Sequence, residues 1–220
     1  MPPHSARALS LWKQNLGCVP ASVWEQTELE TLVLADTGLT ELSDQIGAMQ
    51  RLRMLDLGHN ALASLPEAIG ELEGLSDFLY LHDNRLTELP AALGNLRKLR
   101  YLNVSENAFE EFPPAICSMA GLLELRASDN RLSVLPECLG NLGRLRELHV
   151  RNNRLTSLPD AVGSLRDLRQ IDLRGNPLES LPESLAQLPM LDKLDLRWVT
   201  TFDEPLWMEA LRARGCLIYW

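Results

Sequence analysis

Long apolar runs are absent from this 220-residue chain. No stretch approaches the roughly 20 consecutive apolar residues that span a bilayer, and residues 1–17 hold no run long enough for a secretory h-region. The expectation is a soluble, cytoplasmic protein with no membrane partner. Basic residues are also scarce: 21 Lys and Arg face 30 Asp and Glu, a formal net charge of -9. A polyanion needs a basic face that releases counterions on binding, so nucleic acid is excluded as a partner. Cysteine is limited to Cys18, Cys117, Cys138 and Cys216, widely spaced and without a C-x-x-C pair. That spacing suggests neither a zinc site nor clustered disulfides, and it fits a reducing compartment. Aromatics make up 5% of the residues, so the positions of the few present carry information.

Glycine and proline are modest in number but recur in phase with asparagine. Asparagine falls at Asn60, Asn84, Asn107, Asn130, Asn153 and Asn176, and six residues after each comes Pro66, Pro90, Pro113, Pro136, Pro159 and Pro182. Ahead of each asparagine stands the same apolar frame, for example Leu168, Ile171, Leu173, Asn176 and Leu178. Self-similarity at this period is the signature of a stacked repeat architecture. The unit reads L-x-x-L-x-L-x-x-N-x-L-x-x-L-P-x-x-[IVL]-G-x-L-x-x. Its frame extends back to Leu29, Leu32, Leu34, Thr37 and Leu39, and to a degenerate Leu9, Leu11, Leu16 and Pro20. It extends forward to Leu191, Leu194, Leu196 and Val199, with Leu217 and Tyr219 on a closing strand.

The x-L-x-L-x portion alternates with period two, which makes a short strand with leucines on one side. Successive strands then pair in parallel. About 23 residues leave room only for an extended or 3₁₀ return, in which proline fixes φ. Gly47, Gly70, Gly94, Gly140 and Gly163 are expected to permit a bend towards the next strand. The asparagines are expected to be buried and to form a hydrogen-bonded ladder, since their amides both donate and accept.

The repeat resembles the 23-residue class of leucine-rich repeats, found in intracellular Ras-signalling scaffolds, plant intracellular relatives and bacterial proteins that include injected effectors. The resemblance implies an α/β right-handed leucine-rich-repeat solenoid, a horseshoe with its parallel sheet on the concave face and extended or 3₁₀ returns on the convex face. Residues 1–28 form an N-terminal cap with a degenerate first repeat, 29–201 the repeats, and 202–220 a capping helix and edge strand. The helix is expected over 204–214 with Asp203 as N-cap, packing Leu206, Trp207, Ala210 and Leu211. Fold alone does not name a partner.

Register writes the exposed strand positions as columns. Met54, Phe78, Tyr80, His82 and Tyr101 should form one apolar and aromatic patch, with Asn103 beside it and Arg126 and His149 at its edge. Exposed aromatics with arginine are the composition of binding hot spots. One extra residue before Phe78 suggests a bulge that re-aims side chains there. Arg151, Arg174 and Arg197 stack in a further column, where Asp172 and Asp195 offer a salt-bridge lattice as the alternative to an acidic-peptide site. His59, His82 and Asp83 should lie near one another, yet a metal needs three or four convergent ligands. We therefore expect no metal, no cofactor and no catalytic residues. The expected function is a non-enzymatic scaffold or adaptor binding a protein or peptide on the concave face. The alternative is a bacterial effector secreted into a host cell, or the substrate-recognition part of a larger signalling enzyme or ligase. Oligomeric state is not legible.

Overall fold

The computed structural model describes residues 7–200 and 203–220. The boundary expected at 201/202 and the first six residues of the expected cap lie outside them. Ten three-residue strands form one parallel sheet in strict sequence order. They are β1 (Ala8–Ser10), β2 (Thr31–Val33), β3 (Met54–Asp56), β4 (Phe78–Tyr80), β5 (Tyr101–Asn103), β6 (Glu124–Arg126), β7 (Glu147–His149), β8 (Gln170–Asp172), β9 (Lys193–Asp195) and β10 (Leu217–Tyr219). Each central residue is a leucine or isoleucine, and the register places them side by side from Leu9 against Leu32 to Leu194 against Ile218. From Leu32 to Leu194 these central side chains are fully buried or nearly so. Their flanking neighbours point to the opposite, solvent-facing side of the sheet, the concave side in this fold class.

Between strands the chain returns through five-residue 3₁₀ turns, such as Glu67–Glu71, Ala91–Asn95, Pro114–Ser118 and Glu137–Asn141. In these four a proline precedes the turn in extended geometry, as its fixed φ favours. The glycines of these turns serve a purpose other than bending. A Cβ on Gly70 would lie 2.3 Å from the Ala92 carbonyl oxygen and 2.5 Å from the Ala92 Cβ, so glycine is needed where one return packs on the next. The left-handed bend falls elsewhere, directly before the repeat asparagine. Asp36, His59, Asp83, Glu106, Asp129 and Asn152 all have φ between 51° and 56°. Asp and Asn tolerate this region better than other side chains, and Gly175 takes the same place.

The asparagine ladder exists, but it runs through backbone. Asn153 donates from Nδ2 to the carbonyls of Ala127, Val150 and Arg151, and its Oδ1 accepts from the Leu132 amide. Each asparagine thus ties its own turn to the preceding one. Thr37 does part of this work, donating from Oγ1 to the Leu34 carbonyl.

Three further expectations need correction. The extra residue in the fourth unit makes no bulge, because Met54 pairs with Phe78 and Asp56 with Tyr80 in unbroken register. It is absorbed between Leu75 and β4, since the Asp77 and Phe78 amides reach the Arg53 carbonyl just as the Arg53 and Met54 amides reach that of Glu30. The C-terminal helix spans only Met208–Ala213 and buries Met208 and Leu211, while Leu206 is 92% exposed. Finally, Cys117 and Cys138 are joined in a disulfide with Cα atoms 5.6 Å apart. Cys117 stands in the glycine column and Cys138 in the column of Ala68, Ala92, Ala115 and Ala161, and those two columns are the ones that touch between consecutive returns. The ground for expecting a reducing compartment is thereby removed.

Candidate functional site

The solvent-facing side of the sheet divides into an aromatic and an ionic region. The alternation that buries Leu79 and Leu102 turns Phe78, Tyr80 and Tyr101 outwards. Phe78 stacks on Tyr80 at 5.9 Å between centroids and lies 5.5 Å from Tyr101, and Tyr80 lies 5.1 Å from Tyr101. Phe78 remains 42% exposed, so it does not turn into the core. Met54 sits beside Phe78 in register, and the Arg126 guanidinium stands 5.9 Å over the Tyr101 ring. Burial pushes the Tyr101 hydroxyl up to about 12 despite the opposing influence of Arg126, so it remains a neutral donor at physiological pH. Tyr80 is raised by burial and by the charge of Asp56. These residues are brought together as expected.

His82 continues the cluster, 6.0 Å from the Tyr80 ring. Its Nε2 lies 3.2 Å from His59 Nε2, and His59 Nδ1 lies 2.7 Å from Asp83 Oδ2. Burial and then the neighbouring His59 hold the His82 pKa below its ordinary value. The ring packs so tightly on Gly58 that a Cβ there would be 2.4 Å from its Cε1.

Beyond Tyr101 the face changes character. Asn103 accepts from the Ser105 amide, Glu124 pairs with Arg126 at 2.6 Å, and His149 Nε2 lies 3.1 Å from Glu147. Glu124, Glu147 and His149 bring their ligand atoms within 4.8 Å of one another. This juxtaposition follows from the columns but was not read from them. Asp172 and Asp195 each take a two-pronged guanidinium, from Arg174 at 2.8 and 2.6 Å and from Arg197 at 2.9 and 2.8 Å. Arg151 lies 3.4 Å from Asp129. Burial alone would raise the Asp195 carboxyl, but hydrogen bonds from Arg197 and the charges of both arginines hold it below the usual range. The arginine column is therefore a salt-bridge lattice, the alternative foreseen for it. Trp198, Leu217 and Tyr219 are exposed at its far end, with Arg174 5.8 Å over Trp198 and Arg197 5.7 Å over Tyr219. At the repeat spacing Leu217 and Tyr219 fall in line with the buried Leu194 and Leu196, but β10 pairs one residue later, so Ile218 meets Leu194 while Leu217 and Tyr219 face solvent.

Comparison with known proteins gives one consistent result. A leucine rich repeat family model matches residues 27–86 and 143–198, and a leucine-rich repeat region model matches 76–154. The ectodomain of the Arabidopsis thaliana membrane receptor kinase GASSHO1/SCHENGEN3, solved with Casparian strip integrity factor 2, is similar at 30% identity and TM-score 0.82. That match covers 96% of this chain and 26% of the receptor chain. The plant peptide hormone receptor RGFR1 in complex with RGF2 is similar at 32% identity and TM-score 0.77, over 87% of this chain and 32% of that one. A leucine-rich-repeat protein of Leptospira interrogans is similar at 27% identity and TM-score 0.65, over 96% and 66%. This chain thus spans less than two thirds of the length of each.

Proposed function

Because the chain belongs to the leucine-rich-repeat family, we propose that it is a non-catalytic protein-interaction module, acting as a scaffold or adaptor, whose partner docks on the concave face at Phe78, Tyr80 and Tyr101. The observation that carries this reading is the contiguity of three exposed aromatic rings on adjacent parallel strands, with Arg126 at their edge. Large rigid rings with polar tips are the side chains from which interface hot spots are built. Two similar receptor structures are complexes, one with Casparian strip integrity factor 2 and one of a peptide hormone receptor with RGF2, which supports a protein or peptide as the partner here. The Cys117–Cys138 disulfide favours a setting in which disulfides persist over the cytoplasmic one first expected. No described helix is long and apolar enough to cross a membrane.

A second reading, the recognition part of a larger protein, is favoured by the short span of this chain against its structural relatives. The full-length gene decides between them.

The test of the face is a matched pair of double variants assayed against a partner captured from the native source. Tyr80→Ala with Tyr101→Ala should weaken binding by about 2 kcal/mol or more, and Glu67→Ala with Glu183→Ala on the convex return far less. Retained binding by the folded concave variant, with loss in the convex one, would show that the wrong face was chosen.

A further inference from the structure

The three columns of the sheet face from β2 to β9 contain five carboxylates: Asp56, Glu124, Glu147, Asp172 and Asp195. Four have a cationic or ionisable partner two residues along the same strand direction. Glu124 has Arg126, Glu147 has His149, Asp172 has Arg174 and Asp195 has Arg197. Asp56 is different. Two residues on stands Gly58, and among the described residues Asp56 makes no ion pair.

Asp56, Asp172 and Asp195 occupy one column and begin with the same local geometry. Each accepts from the backbone amide two residues ahead, at 2.9 Å from Gly58, 3.2 Å from Arg174 and 3.4 Å from Arg197. At Asp172 and Asp195 both oxygens are then engaged by the arginine of that same residue. At Asp56 the backbone bond is made and the guanidinium is missing. His82 does not replace it: its Nε2 is turned to His59 at 3.2 Å, and among the described residues no hydrogen bond or ion pair joins it to Asp56. Its ring instead packs on Gly58, and Tyr80 lies beside Asp56 in register. Elsewhere on this face the protein stacks guanidinium on aromatic, as with Arg126 over Tyr101 and Arg174 over Trp198.

We infer that Asp56 is the receptor for an arginine side chain of the peptide partner, whose guanidinium takes the place that Arg174 and Arg197 fill at the equivalent positions and stacks against Tyr80. The inference rests on the concave-face reading and names the chemistry of its ligand. Planar, two-pronged recognition of a carboxylate beside an aromatic face suits arginine better than lysine. The net charge of -9 attracts a basic segment from a distance. The neighbouring Val33 and Met54, facing the same side, offer an apolar floor for a residue next to that arginine.

The experiment uses the whole chain and a random 12-residue peptide library displayed on phage. Selected peptides are resynthesised with each arginine in turn replaced by citrulline, an uncharged near-isostere, and titrated against the wild type, Asp56→Asn, and Tyr80→Ala with Tyr101→Ala. Asn103, in the same column, accepts from the Ser105 amide two residues ahead at 3.0 Å, as Asp56 does from Gly58, so an asparagine at 56 keeps the local fold. Arginine should be enriched at one position, and citrulline there should weaken binding about tenfold or more, as loss of a charge-assisted hydrogen bond does. Asp56→Asn should have an equal effect, and the two losses should not add. Binders abolished by the tyrosine double variant but indifferent to Asp56→Asn would overturn this inference and leave the concave-face reading standing. Binders indifferent to all these changes, or no binders of any composition, would overturn both.

Discussion

The two halves of the sheet face are built on one frame and reach opposite ends. From β8 to β9 the Asp column and the Arg column satisfy each other, and Asp195 is only 1% exposed under its arginines. From β3 to β5 the same columns hold Asp56 with Gly58, Tyr80 with His82, and Asn103 with Ser105, so aromatic surface and a carboxylate are left facing solvent. A repeat protein keeps its stability in nearest-neighbour contacts, which leaves the exposed columns free to differ. A column that supplies its own counter-ion becomes scaffold. One that withholds it becomes a surface with unspent binding capacity.

The largest expected effect lies at the seam between these halves. The disulfide joins the return behind β5, which carries Tyr101, to the return behind β6, which starts the ionic region. Closing a loop with sequence separation 21 stabilises by about 3 kcal/mol in the chain-entropy account. Reductant, or Cys117→Ala with Cys138→Ala, should lower the urea midpoint accordingly. An unchanged midpoint would mean that the two halves are held by packing alone.

Next comes the asparagine ladder, which serves both halves. Asn153 is 6% exposed and makes four hydrogen bonds to backbone. Asn153→Ala should cost about 1–3 kcal/mol, because buried donors and acceptors lose their partners. Asn103, which accepts from the Ser105 amide and has a partly exposed side chain, should cost well under half of that. Equal losses in thermal unfolding would contradict the distinction between ladder and surface asparagines.

The repeat made the fold legible, since the strand positions follow directly from the leucine frame and the columns from the strands. The aromatic cluster and the Asp–Arg lattice were legible for the same reason. What escaped was contact between different columns of neighbouring units. The glycine column of one return touches the alanine column of the next, so the pairing partner of Cys117 lies 21 residues away and not at the repeat spacing. Periodicity aligns like with like and is silent about such offsets. The left-handed turn was missed because Asp, His, Glu and Asn share the position and no one residue type marks it. The C-terminal helix came out short because its pattern was read through Leu206, whereas packing selected Met208.

The smallest effect is the sharpest test of the comparison. Asp195→Asn removes a charge that two guanidinium groups contact, at 2.8 Å from Arg197 and 3.6 Å from Arg174. A cost of about 1–3 kcal/mol is expected for losing charge-assisted hydrogen bonds of this kind. Its folded pKa is depressed, so the stabilisation is present above the unfolded value of about 4 and is lost as pH falls through the lower folded value. The wild type and Asp195→Asn should therefore differ at neutral pH and converge in acid. Asp56→Asn keeps the Gly58 amide bond and breaks no ion pair, so it should stay within about 0.5 kcal/mol of the wild type, as surface changes do. Chemical unfolding of both variants at neutral and acidic pH measures the difference. A stability loss at Asp56 as large as at Asp195 would mean that its carboxylate is already satisfied within the protein, and the division of the face into self-paired and open halves would fall.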